Sequence, residues 1–123
     1  MKVLIVEDEG LIVAYLQTLI VGFGHEVCAT AASAPEAVES AARHRPDVAL
    51  MDIRLARGTS GIDAAREIYA RQKLRCIFLS ANLDDGARRS LDGCAPIAFV
   101  GKPVLPIVLQ RALRTAEQQM GSA

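Results

Sequence analysis

The chain reads as a parallel α/β sheet covered by helices on both faces, and three observations support that expectation. Short runs rich in Val, Ile, Leu and Ala recur along its 123 residues, at Lys2 to Val6, Glu26 to Thr30, Val48 to Met51, Arg75 to Leu79 and Ile97 to Val100. Near-continuous apolar runs are what a strand buried on both faces requires. The intervening segments are long enough for the crossover helix that a parallel pair needs. Four of the runs then end on polar residues: Glu7-Asp8, Asp52, Ser80-Ala81 and Gly101-Lys102-Pro103. In an open parallel sheet those ends share one rim, which is where such sheets place their sites.

Each element has its own local reason. After the first run, Leu11 to Val21 carries Ile12, Leu16, Leu19 and Ile20 at helical spacing, and Gly22 and Gly24 supply a stop. Tyr15, the one aromatic on this helix, is expected at the core edge. Ser33 or Ala34 opens a second helix with Pro35 in its first turn, Ala37, Val38 and Ala41 inward, and Pro46 beyond its end. Gly61 to Tyr69 forms a third, with Ile62, Ala65 and Ile68 inward. A fourth, from Asp84 to Leu91, is short and polar, and Gly86 in its middle costs about 1 kcal/mol against Ala, so a marginal or mobile element is expected. The fifth runs from about Pro106 to Gln119, with Leu109, Ala112, Leu113 and Ala116 inward. Leu105 stands where a capping side chain would be better, and core packing is favoured over an apolar docking patch at Val104-Leu105. Five βα units in one domain, residues 1–119 with a frayed tail at 120–123, imply a flavodoxin-like doubly wound sheet of strand order 2-1-3-4-5.

Composition narrows the function classes. Fourteen basic residues balance fourteen acidic ones, so bulk charge points to neither nucleic acid nor a membrane surface. No stretch is apolar for long enough to span a bilayer, and Lys2 followed at once by a strand-like run is wrong for a signal peptide. A cytoplasmic protein is expected. Cys28, Cys76 and Cys94 lack metal-ligand spacing. Cys28 and Cys76 lie in apolar runs and read as buried reduced thiols, whereas Cys94 reads as loop-exposed. His25 and His44 read as surface or strand-edge residues. Gly22-Phe23-Gly24 follows a helix and is not a dinucleotide fingerprint.

The rim residues carry the chemistry. Glu7 and Asp8 are ordinary at a helix start, but with Asp52 after a neighbouring strand they make an oxygen-rich cation site. Mg²⁺ favours a few carboxylates, waters and a phosphate oxygen. Asp52 can serve as a nucleophile, because carboxylates form acyl phosphates. The polar, Gly-rich loop from Arg54 to Gly61 lets backbone approach a ligand, and the Arg54 carbonyl can join the metal. Ser80 offers a hydroxyl to a phosphoryl oxygen, and Lys102 aimed among three carboxylates offsets their repulsion.

Asp8, Asp52, Ser80 and Lys102-Pro103, each ending its own strand, with Gly61 opening the third helix and Phe99 three residues before the lysine, resemble the response-regulator receiver domain of two-component signalling. The resemblance implies that Asp52 accepts a phosphoryl group from the phosphohistidine of a sensor histidine kinase or histidine phosphotransfer protein. It implies Mg²⁺ held by Glu7, Asp8, Asp52 and the Arg54 backbone carbonyl, and phosphoryl oxygens gripped by Lys102 and Ser80. It also implies a conformational switch formed by Ser80 and Phe99, and hydrolysis tuned by Arg54 and Asn82. The face of the fourth helix, fifth strand and fifth helix is expected to meet a downstream protein target or a second copy. Direct nucleic-acid binding and membrane binding are not expected. A small aspartyl-phosphate phosphatase would carry a second acid where Arg54 stands, and a phosphorylation-independent binding module would not need Asp8, Asp52, Ser80 and Lys102 together.

Overall fold

In the computed structural model, which describes residues 1–81 and 85–121, five strands pair in parallel: β1 (Lys2–Val6), β2 (Glu26–Ala31), β3 (Val48–Asp52), β4 (Cys76–Ser80) and β5 (Ala98–Gly101). Their spatial order is β2-β1-β3-β4-β5, as expected for the flavodoxin-like doubly wound topology. The helices are α1 (Gly10–Gly22), α2 (Ala34–His44), α3 (Gly61–Gln72), α4 (Asp85–Ser90) and α5 (Pro106–Gly121). Among the described residues no helix is long and apolar enough to cross a membrane.

Alternation along each strand explains why the runs are apolar throughout. In β1, Val3 and Ile5 pack with Leu16 and Ile20 of α1 and Leu109 and Leu113 of α5. Leu4 and Val6 point the other way, toward Ala37 and Ala41 of α2 and Ala65 and Ile68 of α3. Both faces are therefore cores, each buried large side chain contributing about 1.5–3 kcal/mol. The helix side chains expected inward follow suit, with Ile12, Leu19, Val38 and Ile62 half-buried and the others, Tyr15 aside, fully covered. Tyr15 remains 42% exposed and its hydroxyl donates to the Val104 carbonyl at 2.9 Å, joining α1 to the segment before α5.

Helix ends follow local chemistry. The buried Ser33 hydroxyl accepts from the Glu36 N–H at 3.4 Å and donates to Oε1 of Glu36 at 3.2 Å; Oε2 accepts from the Ala32 N–H. Ser33 thus caps α2, and Glu36 reaches back past it to the preceding N–H. Gly24, at φ +88°, takes the left-handed turn after α1, a conformation glycine adopts freely. Helix α3 runs past Tyr69 to Gln72, because nothing in Ala70-Arg71-Gln72 breaks it and Arg71 pairs with Glu67 one turn back at 2.7 Å. Helix α4 is six residues long and is followed by a 3-10 turn at Asp92–Cys94. Asp84, its expected first residue, lies outside the described residues.

Four sequence readings need correction. Cys94 is buried rather than loop-exposed, since the turn at Asp92–Cys94 folds it into the core beside Leu91, whose carbonyl accepts its thiol. Cys28 is only half-buried, because β2 is the sheet's edge strand. The His25 ring is 7% exposed: Nδ1 lies 3.1 Å from the N-terminal amine and Nε2 lies 3.6 Å from a Glu117 carboxylate oxygen. Leu105, for which core packing was favoured, is 56% exposed while its neighbour Val104 is buried.

Gly61 joins the fold to the rim. A Cβ at this position would lie 1.8 Å from the Asp52 carbonyl oxygen and 2.8 Å from its carbon, both backbone atoms. Gly61→Ala is therefore expected to destabilise the protein by about 3 kcal/mol in urea unfolding, well above the change for an ordinary surface Gly→Ala.

Candidate functional site

Parallel register brings the polar strand ends together. Val6 pairs with Met51, Asp52 with Leu79, and Ser80 with Gly101, so Glu7 and Lys102 emerge immediately beyond the ends of β1 and β5. The Glu7 N–H donates to the Ala31 carbonyl at 2.9 Å and the Lys102 N–H to the Ser80 carbonyl at 3.0 Å, extending the ladder by one residue at each place. Asp8, Asp52, Arg54, Ser80 and Lys102 line a cleft of about 610 Å³.

Within it, one carboxylate oxygen from each of Glu7, Asp8 and Asp52 lies within 4.8 Å of the others. Glu7 and Asp52 are buried and Asp8 is exposed. The Lys102 ammonium sits 3.0 Å from Oδ2 of Asp52 and 3.3 Å from Oε1 of Glu7. The Arg54 N–H donates to Oδ1 of Asp52 at 3.4 Å. Phe99 does not join this group. Its half-buried ring stacks on Phe78, with centroids 5.7 Å apart, and the Arg88 guanidinium lies 4.9 Å from its centroid. Asn82 lies outside the described residues.

The electrostatics follow from burial and crowding. Burial, then the hydrogen bond and charge of Asp52, push the Glu7 carboxyl up to about 8, with Lys102 pulling the other way. For Lys102, burial works to lower the value, but Asp52 and Glu7 outweigh it and hold the ammonium above its ordinary range. The donor set suits a hard divalent cation: three carboxylates, all oxygen, with one edge open to water. A metal there would displace the proton that burial favours on Glu7.

Two neighbours of the site have no signal in the sequence. Ile12 lines the cleft as one residue of an apolar helix stripe. Thr59, 25 residues from the start of α2, hydrogen-bonds the Ala34 N–H. Only the tertiary fold pairs such residues.

Known proteins resemble the chain along most of its length. A family model described as the response regulator receiver domain matches residues 3–114. The phyllosphere-induced regulator PhyR of Methylorubrum extorquens is 41% identical over 108 residues, 85% of this chain and 39% of that protein. The transcriptional regulatory protein PdtaR of Mycobacterium tuberculosis is 38% identical over 83% of the chain and 49% of its own length. The chain thus spans half or less of these relatives. The signal receiver domain of a modulated diguanylate cyclase from Desulfovibrio desulfuricans superposes with a TM-score of 0.86 at 31% identity, covering 96% of this chain and 94% of that one.

The raised Glu7 value has a consequence for stability. Relative to an ordinary 4.5, its contribution is complete below that pH and is lost as the pH rises through about 8. Lys102, held up by its partners, titrates above this window. Without divalent ions the unfolding free energy is expected to fall between about pH 5 and pH 8, and Glu7→Gln should flatten that slope. Saturating MgCl₂ should flatten it in the wild type. Urea titrations at several pH values measure both effects.

Proposed function

The chain belongs to the response regulator receiver family, and on that premise we propose that it is a phosphoacceptor of a two-component relay, accepting a phosphoryl group on Asp52. The observation that carries the reading is the Lys102 ammonium bridging Asp52 and Glu7 at the mouth of an open cleft. In the proposed transfer an Asp52 oxygen attacks the phosphorus of a phosphohistidine, the P–N bond breaks, and the imidazole leaves with the electron pair and takes up a proton. Lys102 holds the transferred group as it gains charge, and the Ser80 hydroxyl bonds one of its oxygens. Glu7, Asp8, Asp52 and the Arg54 carbonyl would hold Mg²⁺, which when bound would supply positive charge against the phosphoryl oxygens.

Signalling is the consequence of a change in charge at a buried aspartate: the acyl phosphate carries about −2 where the ionised carboxylate carried a single negative charge. In the proposed switch the Ser80 hydroxyl is drawn toward it, and the Phe99 ring shifts in response. Phe99 lies between Phe78 of β4 and Arg88 of α4, so a change in its rotamer alters how α4 sits on the sheet. The face of α4, β5 and α5 then meets a protein target or a second copy. Receiver domains signal by such protein contacts, and the kinase or phosphotransfer protein is proposed here as the donor. On this reading the protein acts in the cytoplasm as a signalling regulator, residues 1–119 form its receiver domain, and the chemistry proposed for that domain is its own phosphorylation and slow dephosphorylation.

Arg54 and Asn82 are proposed to tune that dephosphorylation. Arg54 is exposed at the cleft mouth, where its guanidinium can cover the phosphoryl group and hinder water.

Incubation with acetyl phosphate and MgCl₂ should add one phosphoryl group to the wild type by intact mass and none to Asp52→Asn; an adduct on both would assign the acceptor elsewhere. Lys102→Ala should accept the group at least tenfold more slowly, a loss of about 1.4 kcal/mol in the transition state. Arg54→Ala should shorten the phosphoryl lifetime, and an unchanged lifetime would remove Arg54 from that role.

A further inference from the structure

The loop between β3 and α3 is held by a side chain that the rim itself does not use. Thr59 Oγ1 accepts a hydrogen bond from the Ala34 N–H at 3.0 Å and donates one to the Ala56 carbonyl at 2.8 Å. The Ala56 N–H in turn donates to the Ala32 carbonyl at 2.9 Å. Ala34 opens α2, so its N–H is one of the donors a helix leaves without an internal partner. Thr59 satisfies that donor from across the sheet's rim and fastens the loop to the start of α2.

Two backbone bonds carry this anchorage to the metal ligands. The Leu55 N–H donates to the Thr59 carbonyl at 3.1 Å, and the Gly61 N–H donates to the Ile53 carbonyl at 2.7 Å. Arg54 and Ser60 pair between them as an antiparallel bridge. The Arg54 carbonyl and the Leu55 N–H belong to one planar peptide unit, so fixing the direction of one fixes the other. Leu55 is 6% exposed and adds an apolar anchor on the same residue.

We infer that Thr59 is a positioning residue for the divalent cation: by locking the loop to α2, its hydroxyl sets the direction of the Arg54 carbonyl and thereby the affinity of the Glu7, Asp8 and Asp52 cluster for Mg²⁺. The inference rests on the reading that those groups hold the ion. Partners one step removed from a metal ligand typically change affinity by about 10–100-fold when lost, and the lower end suits a hydroxyl acting through two backbone bonds. Binding is reciprocal: an ion that tightens the loop also tightens the Thr59 bond to Ala34.

The test is a calorimetric titration of MgCl₂ into the full chain as wild type, Thr59→Val and Thr59→Ser. Valine keeps the shape and removes the hydroxyl, so its Mg²⁺ affinity should fall about tenfold, while serine restores it. Wild-type affinity in Thr59→Val, even with a lowered melting temperature, would overturn the inference and leave Thr59 a structural cap. Absence of Mg²⁺ binding by the wild type would instead bring down the metal reading and this inference with it. A second measurement needs no variant: Mg²⁺ should slow hydrogen exchange at the Ala34 amide of the wild type, and an unchanged rate would also overturn the inference.

Discussion

The Lys102 ammonium is the constraint on which the rim depends. Glu7 and Asp52 are buried carboxylates whose oxygens lie within 4.8 Å of each other and of Asp8. Without a cation among them, desolvation and like-charge repulsion would both oppose that arrangement. Lys102 reaches both at hydrogen-bond distance from the far side of the sheet, two strands beyond β3. The exposed pair Arg43–Glu39, by contrast, joins neighbouring turns of one helix and contributes about 0.3–0.5 kcal/mol. Charge balance across the rim is therefore a tertiary property, not a local one.

That balance is incomplete by design of the geometry. One ammonium faces two buried acids and a third exposed one, and burial, with the hydrogen bond and charge of Asp52, pushes the Glu7 carboxyl up to about 8. A divalent cation and an incoming phosphoryl group would alter the same sum of charges in opposite directions. The sheet beneath supplies the rigidity that keeps these groups in place, because β1, β3 and β4 are buried on both faces and their side chains are packed from both sides. The more open parts lie at the edge: β5 with the half-buried Phe99, the short α4 beside it, and the exposed Leu105 and Ile107 at the start of α5. A change in charge at the packed centre would thus be felt where the structure has room to respond.

Much of this was legible in advance, and the failures are informative. The five strands were readable because strands buried on both faces carry unbroken apolar runs, and the helix faces because Leu16 and Ile20, or Ala37 and Ala41, recur at helical spacing. Cys94 was misread because a polar, glycine-containing stretch looks like an exposed loop, yet its 3-10 turn folds back onto the core. His25 was misread for a related reason. Its partners, the N-terminal amine and Glu117, stand at opposite ends of the chain. The end of α3 was placed too early because helix stops are read from breakers, and Lys73 takes the left-handed conformation without being a glycine.

By itself the sequence determined the parallel doubly wound topology and placed Glu7, Asp8, Asp52, Ser80 and Lys102 at strand ends, because strand burial and crossover length are written in local composition. The tertiary structure alone decided which groups touch: Lys102 reaches Glu7 and Asp52, Phe99 turns away to Phe78 and Arg88, and Thr59 ties the loop between β3 and α3 to α2. The physical reason is that hydrogen bonds and ion pairs act over about 3 Å, a distance that register and loop closure set between residues far apart along the chain.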